Sequence, residues 1–133
     1  MPSTTVQKVS LVFGIGFLLA AVAGFLASGT TMDADVETAP RALGLFPVNL
    51  LHNLLHLAFG VWGVAASRVW SASKTYARIT GVAYLGLAAL GFVAPELFGL
   101  APIGGNDIWL HVLLGLPLAI VGFTARRPTH AHA

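Results

Sequence analysis

Long apolar stretches separated by short polar ones dominate the chain, and the stretches are too long for the interior of a small soluble domain. Uncharged runs cover residues 9–32, 42–67, 79–95 and 108–125. A helix crossing a bilayer needs about 20 apolar residues, within a range of roughly 17–25. The pattern therefore predicts four membrane helices, at about 9–28, 47–67, 78–95 and 108–125. Helices are expected because every backbone N–H and C=O must be paired inside lipid. Barrel strands would alternate apolar with polar residues, and these runs do not. The fold predicted for residues 1–133 is one all-α domain, an integral membrane four-helix bundle. A cleaved signal peptide is a weaker reading of the first run. Lys8 and Ala21-Val22-Ala23 fit one, but the run exceeds the usual h-region of about 7–15 residues.

Composition agrees with the pattern. Hydrophobic residues make up 56% and charged residues 9%, where soluble domains carry about 25% charged residues. So few charges cannot cover a water-facing surface, and the bilayer is the expected partner. The formal net charge of +2 and the absence of a basic face exclude nucleic acid. With no cysteine, disulfides, thiolate metal sites and cysteine nucleophiles are excluded too.

Charge placement gives a direction. Lys8, Arg68, Lys74, Arg78, Arg126 and Arg127 fall on one side of the four runs; Arg41 and all five acids, Asp33, Asp35, Glu37, Glu96 and Asp107, fall on the other. Lys/Arg excess marks the cytoplasmic face. A multi-pass plasma-membrane protein with both termini in the cytoplasm follows as the expectation. Trp109 at the outer end, with Trp70 and Tyr76 at the inner end, suits interfacial aromatic belts. The tail Thr129-His130-Ala131-His132-Ala133 is too short to fold and reads as a frayed terminus.

Runs one and three resemble each other. Gly14, Phe17, Leu18, Ala21, Gly24 and Phe25 align without gaps on Gly81, Tyr84, Leu85, Ala88, Gly91 and Phe92. In runs two and four, Leu55-His56 and Gly60 align on Leu110-His111 and Gly115. Two repeated hairpins would be related by a pseudo-two-fold axis along the membrane normal, as in parallel transporter repeats.

The informative polar residues interrupt runs two and four. At about 100° per residue, Asn49, His52, Asn53, His56, Gly60 and Gly63 share roughly a third of the helix circumference. Asp107 and His111, four apart, form a shorter counterpart followed by Gly115 and Gly122. At 1.5 Å per residue, His52 and His56 lie roughly 8 and 14 Å below the outer end. Ionisable groups at such depth face a protein partner or a cavity. Asn49, Asn53 and Asn106 complete an expected polar network. Glycines are expected to admit a neighbouring helix. Pro117 is expected to bend the fourth helix, and Asn106 or Asp107 to cap it.

Several functions stay open on these residues. Interhelical hydrogen bonds would make the cluster a structural lock, at about 0.6–2 kcal/mol each. His52, His56, His111 and Asp107 are instead candidate ligands for a metal ion. His56 and His111, at matched depth, are candidate axial ligands for a haem. Proton or small-solute handling, or pH sensing, is a further alternative. So is an accessory subunit of a larger membrane complex, and a chain this small and glycine-rich suits a homo-oligomer. No phosphate loop or nucleophile–base arrangement is evident, which favours a non-enzyme.

One resemblance concerns the same residues. Leu45-Phe46-Pro47-Val48-Asn49 through His52-Asn53, His56 and Gly60, then Asn106-Asp107 with Leu110-His111 and Gly115, resemble the bacterial four-span membrane family called domain of unknown function forty-three eighty-three. The resemblance covers nearly the whole chain. It implies the four-span topology and points at these polar segments, and it carries no established activity.

Overall fold

The computed structural model describes residues 2–129. The His130–Ala133 part of the histidine-bearing tail lies outside the described residues. Four helices form the bundle: α1 Thr5–Ser28, α2 Leu50–Ala66, α3 Trp70–Val93 and α4 Asn106–Thr124. A two-stranded antiparallel ribbon, β1 Arg41–Ala42 with β2 Phe46–Pro47, folds over the end of the bundle before α2. A short 3₁₀ turn, Leu97–Gly99, lies in the loop before α4. By length and composition α1, α3 and α4 are able to cross a membrane, while α2, at 17 residues, is shorter.

The helix ends have local causes. Thr4 caps α1 with a reciprocal box: its hydroxyl accepts from Gln7 N, and its own N–H donates to the Gln7 side chain. Asn49 caps α2 by accepting from His52 N at 3.0 Å. The cap expected at α4 differs. Gly105, at φ 60°, takes the N-cap position and no side chain caps the helix. Asn106 instead donates to Leu45 O at 2.9 Å and accepts from Trp109 Nε1 at 3.2 Å, so it ties α4 to the ribbon. Pro117 sits on an exposed face of α4, which continues through it.

The third helix is longer than hydropathy predicts, starting at Trp70 rather than near residue 78. Lys74 and Arg78 end the apolar run without ending the helix. Their side chains reach across to the last turn of α4, donating to Ala125 O at 2.6 Å and Gly122 O at 2.8 Å. Cations there meet the carbonyls that a helix C-terminus leaves unpaired. Tyr76 does not belong to an interfacial belt. It is fully buried, with its ring edge-on to Trp62 at 5.1 Å.

Inside and outside are inverted relative to a soluble bundle. Val12, Leu19 and Leu26 of α1 and Leu113 of α4 are each more than half exposed, while Gln7, Ser10, Asn53, Ser73 and Thr80 are buried. Glycine permits the close packing. A methyl on Gly14 would strike the backbone of Gly63 and Val64, and one on Gly81 the backbone of Ala119. Helix pairs α1–α2 and α3–α4 therefore pack backbone to backbone, in the manner of small-residue membrane interfaces.

These two hairpins repeat each other in contact as well as in sequence. Gly60 meets Leu18, and its counterpart Gly115 meets Leu85, the counterpart of Leu18. Gly24 meets Asn53, and Gly91 meets Ile108. Phe17 lies 5.9 Å from His56, as Tyr84 lies 5.2 Å from His111. Phe17 and Tyr84, which correspond, touch at 5.0 Å. So do His52 and Asp107, which correspond under the same offset. A pseudo-two-fold axis runs between the members of each of these two pairs.

Candidate functional site

The site lies where α2 and α4 present side chains toward each other across the bundle. The two helices are diagonal neighbours, each packed closely against its own hairpin partner. Only long side chains bridge the gap between them. His52 lies one turn into α2 and Asp107 in the first turn of α4. His52 Nδ1 and Asp107 Oδ2 are 3.5 Å apart but not aligned as a hydrogen bond. His111, one turn further along α4, places its ring 6.0 Å from that of His52. One ligand atom each from His52, Asp107 and His111 lie within 4.8 Å of one another. All three residues are buried. The carbonyls of Pro102 and Pro47 approach the His52 ring.

His56 is adjacent but separate. Its ring stands edge-on to His52 at 4.5 Å. It does not join the three-residue group, and it lines a groove between α1 and α4. A haem slung between His56 and His111 does not fit this arrangement. His52 contacts both rings, Phe17 and Tyr84 pack against them, and His111 is not part of the groove wall.

The hydrogen-bond state of the cluster is unusual for so buried a place. Nδ1 of His52, His56 and His111 and both carboxylate oxygens of Asp107 are buried without a hydrogen-bond partner among the described residues. Native interiors leave few such atoms. The asparagine amide nitrogens are paired, although Asn53 Oδ1 is also buried without a hydrogen-bond partner among the described residues. Asn49 Nδ2 donates to Leu100 O at 2.9 Å, and Asn53 Nδ2 donates to Ser28 Oγ at 2.8 Å. Both tie α2 to neighbouring segments, and neither amide bonds to a His or Asp side chain of the group, although Asn49 Oδ1 accepts from the backbone N–H of His52 at 3.0 Å. The shared helix face and matched depth predict that Asn49, His52, Asn53, His56, Asp107 and His111 converge; the structure brings the three histidines and Asp107 together and sets the two asparagines around them as struts.

A match to a family model covers residues 7–124 and so takes in the whole site. The chain belongs to the family described as Domain of unknown function (DUF4383). Comparisons with curated proteins and with solved structures give no match. Within this DUF4383 chain, sequence reasoning placed the informative polar residues on runs two and four and missed one contribution from the third. Ser73, Tyr76, Thr80 and Tyr84 form a buried polar stripe on α3, and Tyr84 stands edge-on to His111. Their spacing of three, four and four residues is the signal that could have found them.

Proposed function

We propose that this DUF4383 chain is a multi-span membrane protein, both ends cytoplasmic, whose His52, Asp107 and His111 hold one divalent transition-metal ion, zinc foremost. The carrying observation is the set of buried nitrogen and carboxylate atoms, from two different helices, that lack hydrogen-bond partners. A buried carboxylate without a partner costs several kcal/mol, and a cation among these atoms would remove that cost. Two imidazoles and one carboxylate are a recurrent zinc donor set that leaves a further position open. Bonds of about 2.0–2.1 Å space tetrahedral ligand atoms about 3.4 Å apart. The His52–Asp107 pair already stands at 3.5 Å, and the His111 ligand atom, within 4.8 Å of both, needs only a side-chain rotation to join them.

The structural-lock reading has less support at these residues. The hydrogen bonds that join helices are made elsewhere: Asn53 to Ser28, Ser10 Oγ to Gly63 O at 2.8 Å, and Ser73 Oγ to Ala66 O at 2.8 Å. Membrane placement draws on the apolar exterior, and orientation on the basic residues gathered at the α2–α3 end.

Protein purified in detergent without chelators is expected to retain about one equivalent of metal by elemental mass spectrometry. Adding zinc to stripped protein is expected to raise its unfolding midpoint, since a ligand at 100 times its Kd stabilises by about 2.7 kcal/mol. Asp107→Ala and His111→Ala should abolish both effects. No retained metal, together with a midpoint indifferent to zinc and EDTA, overturns the proposal.

Proton handling is the second reading, favoured by the α3 stripe. Tyr76 OH and Thr80 Oγ1 are buried without hydrogen-bond partners among the described residues, on the helix whose Tyr84 touches His111. Liposomes under a pH gradient decide it: flux that Thr80→Val and Tyr76→Phe abolish supports it, and a tight bilayer removes it.

A further inference from the structure

The pseudo-two-fold axis relates two seams in the bundle, α2–α3 and α1–α4, and only one is filled. In the α2–α3 seam Phe59 stands edge-on to Tyr84 at 5.5 Å, and Trp62 packs on Tyr76 at 5.1 Å. The counterpart of Phe59 in the other seam is Leu114, and the counterpart of Leu87 is Ala20. The smaller residues leave a groove of about 590 Å³ in the α1–α4 seam. Val12, Gly16 and Ala20 form one wall, Leu114 the other, and Phe46 of the ribbon closes the outer end. Its mouth lies beside Val12 and Leu19, which are about two-thirds exposed. On the membrane reading above, that surface meets lipid tails.

The floor of the groove, where it meets the bundle axis, carries its polar residues. His52, His56 and Asp107 line it, and His56, only 6% exposed, carries a buried Nδ1 with no hydrogen-bond partner among the described residues. An imidazole offers one N–H donor and one acceptor nitrogen. No Lys or Arg lines the groove. An anionic head would therefore find no counter-charge, and it would face the Asp107 carboxyl. The occupant that fits is apolar along its length, has an uncharged head with hydrogen-bonding oxygens, and enters from the bilayer. Phe17 and Phe46 offer ring faces for a flat head. The volume lies within the roughly 300–1,000 Å³ usual for small-molecule sites.

We infer that the α1–α4 groove binds a lipid-dissolved quinone, its tail leaving between α1 and α4 and a head carbonyl accepting a hydrogen bond from His56. The inference rests on the membrane reading; the groove shares His52 and Asp107 with the proposed metal group, while the head is held by His56, which lies outside that group.

The test uses the full chain in phosphatidylcholine nanodiscs, titrated with decylubiquinone. Trp109 packs on Phe46 at 5.3 Å, so in a Trp62→Phe/Trp70→Phe background, which serves as the parent for every variant here, its fluorescence reports on the groove. Saturable quenching is expected, at least tenfold weaker in His56→Phe and lost in Gly16→Phe. Gly16 suits the blocking role because a Cβ there meets nothing within 4 Å, so the larger side chain fills the groove without striking the backbone. Thermal unfolding of each variant checks the fold, and Leu114→Phe is an independent block from the opposite wall. EDTA-treated protein should bind equally well, which separates failure of this inference from failure of the metal reading. Equal quenching in the parent and in both blocked variants means partition into lipid only and overturns it. So does equal competition by decylbenzene, which has the tail but no carbonyl.

Discussion

The α1–α2 and α3–α4 hairpins share one geometry and differ in chemistry. Both pack through glycine: Gly14 against Gly63 in one, Gly81 against Ala119 in the other. Both set an aromatic ring of the first helix beside a histidine of the second. At the axis, however, one supplies His52 and the other Asp107. Two identical hairpins would bring two imidazoles together there, and a dry pair of imidazoles holds a cation without offsetting its charge. Replacing one imidazole by a carboxylate gives a mixed donor set with a negative charge. Repetition fixes where side chains meet, and departure from it determines what the meeting point can bind.

The shared part is the most fragile, and the largest effects are expected there. Gly14→Leu and Gly81→Leu each push a side chain into neighbouring backbone, which cannot yield as a rotamer does. Overpacking of this kind costs about 3 kcal/mol. Each variant should lower the unfolding midpoint in detergent sharply, and to a similar degree, if the hairpins are equivalent scaffolds. A tolerated Gly81→Leu beside a ruinous Gly14→Leu would break the equivalence. Gly16→Leu, with open space at its Cβ, is the control and should leave the midpoint nearly unchanged.

The next effect probes the difference at the axis. Asp107→Asn keeps the shape and removes the charge. Zinc affinity by competition titration should fall on the order of 100-fold, at the upper end of what altering a ligand's surroundings produces. Stability without metal should hold or rise, because an unpartnered buried carboxylate has been removed. Lower stability in the metal-free variant would show that Asp107 serves the fold rather than a ligand.

How much of this was legible in the sequence follows the same division. Histidines within an apolar run stand out, and their helical spacing put His52 and His56 on one face. The repeat was visible in Gly14/Gly81 and His56/His111, so the bundle and the two site-bearing helices could be anticipated. The neighbour of each face could not. Asn53 shares the stripe with His52, yet it faces Gly24 and Ser28 of α1, because the face of α2 is wide enough to serve two partners. The start of α3 was hidden because Lys74 and Arg78 lower hydropathy while α4 supplies carbonyls to receive them. Tyr84 and Thr80 were passed over because hydroxyls barely disturb an apolar average.

Asn53 gives a smaller effect of the same kind. The side chain of its counterpart Ile108 has no hydrogen-bonding group, and Gly91 accepts it as Gly24 accepts Asn53. Asn53→Leu should cost about 1 kcal/mol, the net worth of one buried hydrogen bond, with zinc affinity unchanged. A matching loss of metal binding would place Asn53 in the site rather than beside it.

The mildest substitution addresses the seams. Leu114→Phe copies Phe59 into the corresponding place of the second hairpin. Because the groove has room for the larger ring, the volume is added to open space rather than to a packed core. The change in stability should stay within about 1.5 kcal/mol, and zinc binding should persist, since Leu114 is not part of the His52, Asp107 and His111 group. Quenching of Trp109 by decylubiquinone should nevertheless disappear. The reciprocal Phe59→Leu should cost about 1 kcal/mol by loosening the ring contacts with Tyr84 and Phe17, and leave the quenching intact. Loss of quenching in both would mean that quinone senses the packing of the whole bundle. Loss in Leu114→Phe alone confines it to one seam, where a single aromatic side chain separates a filled interface from a binding groove.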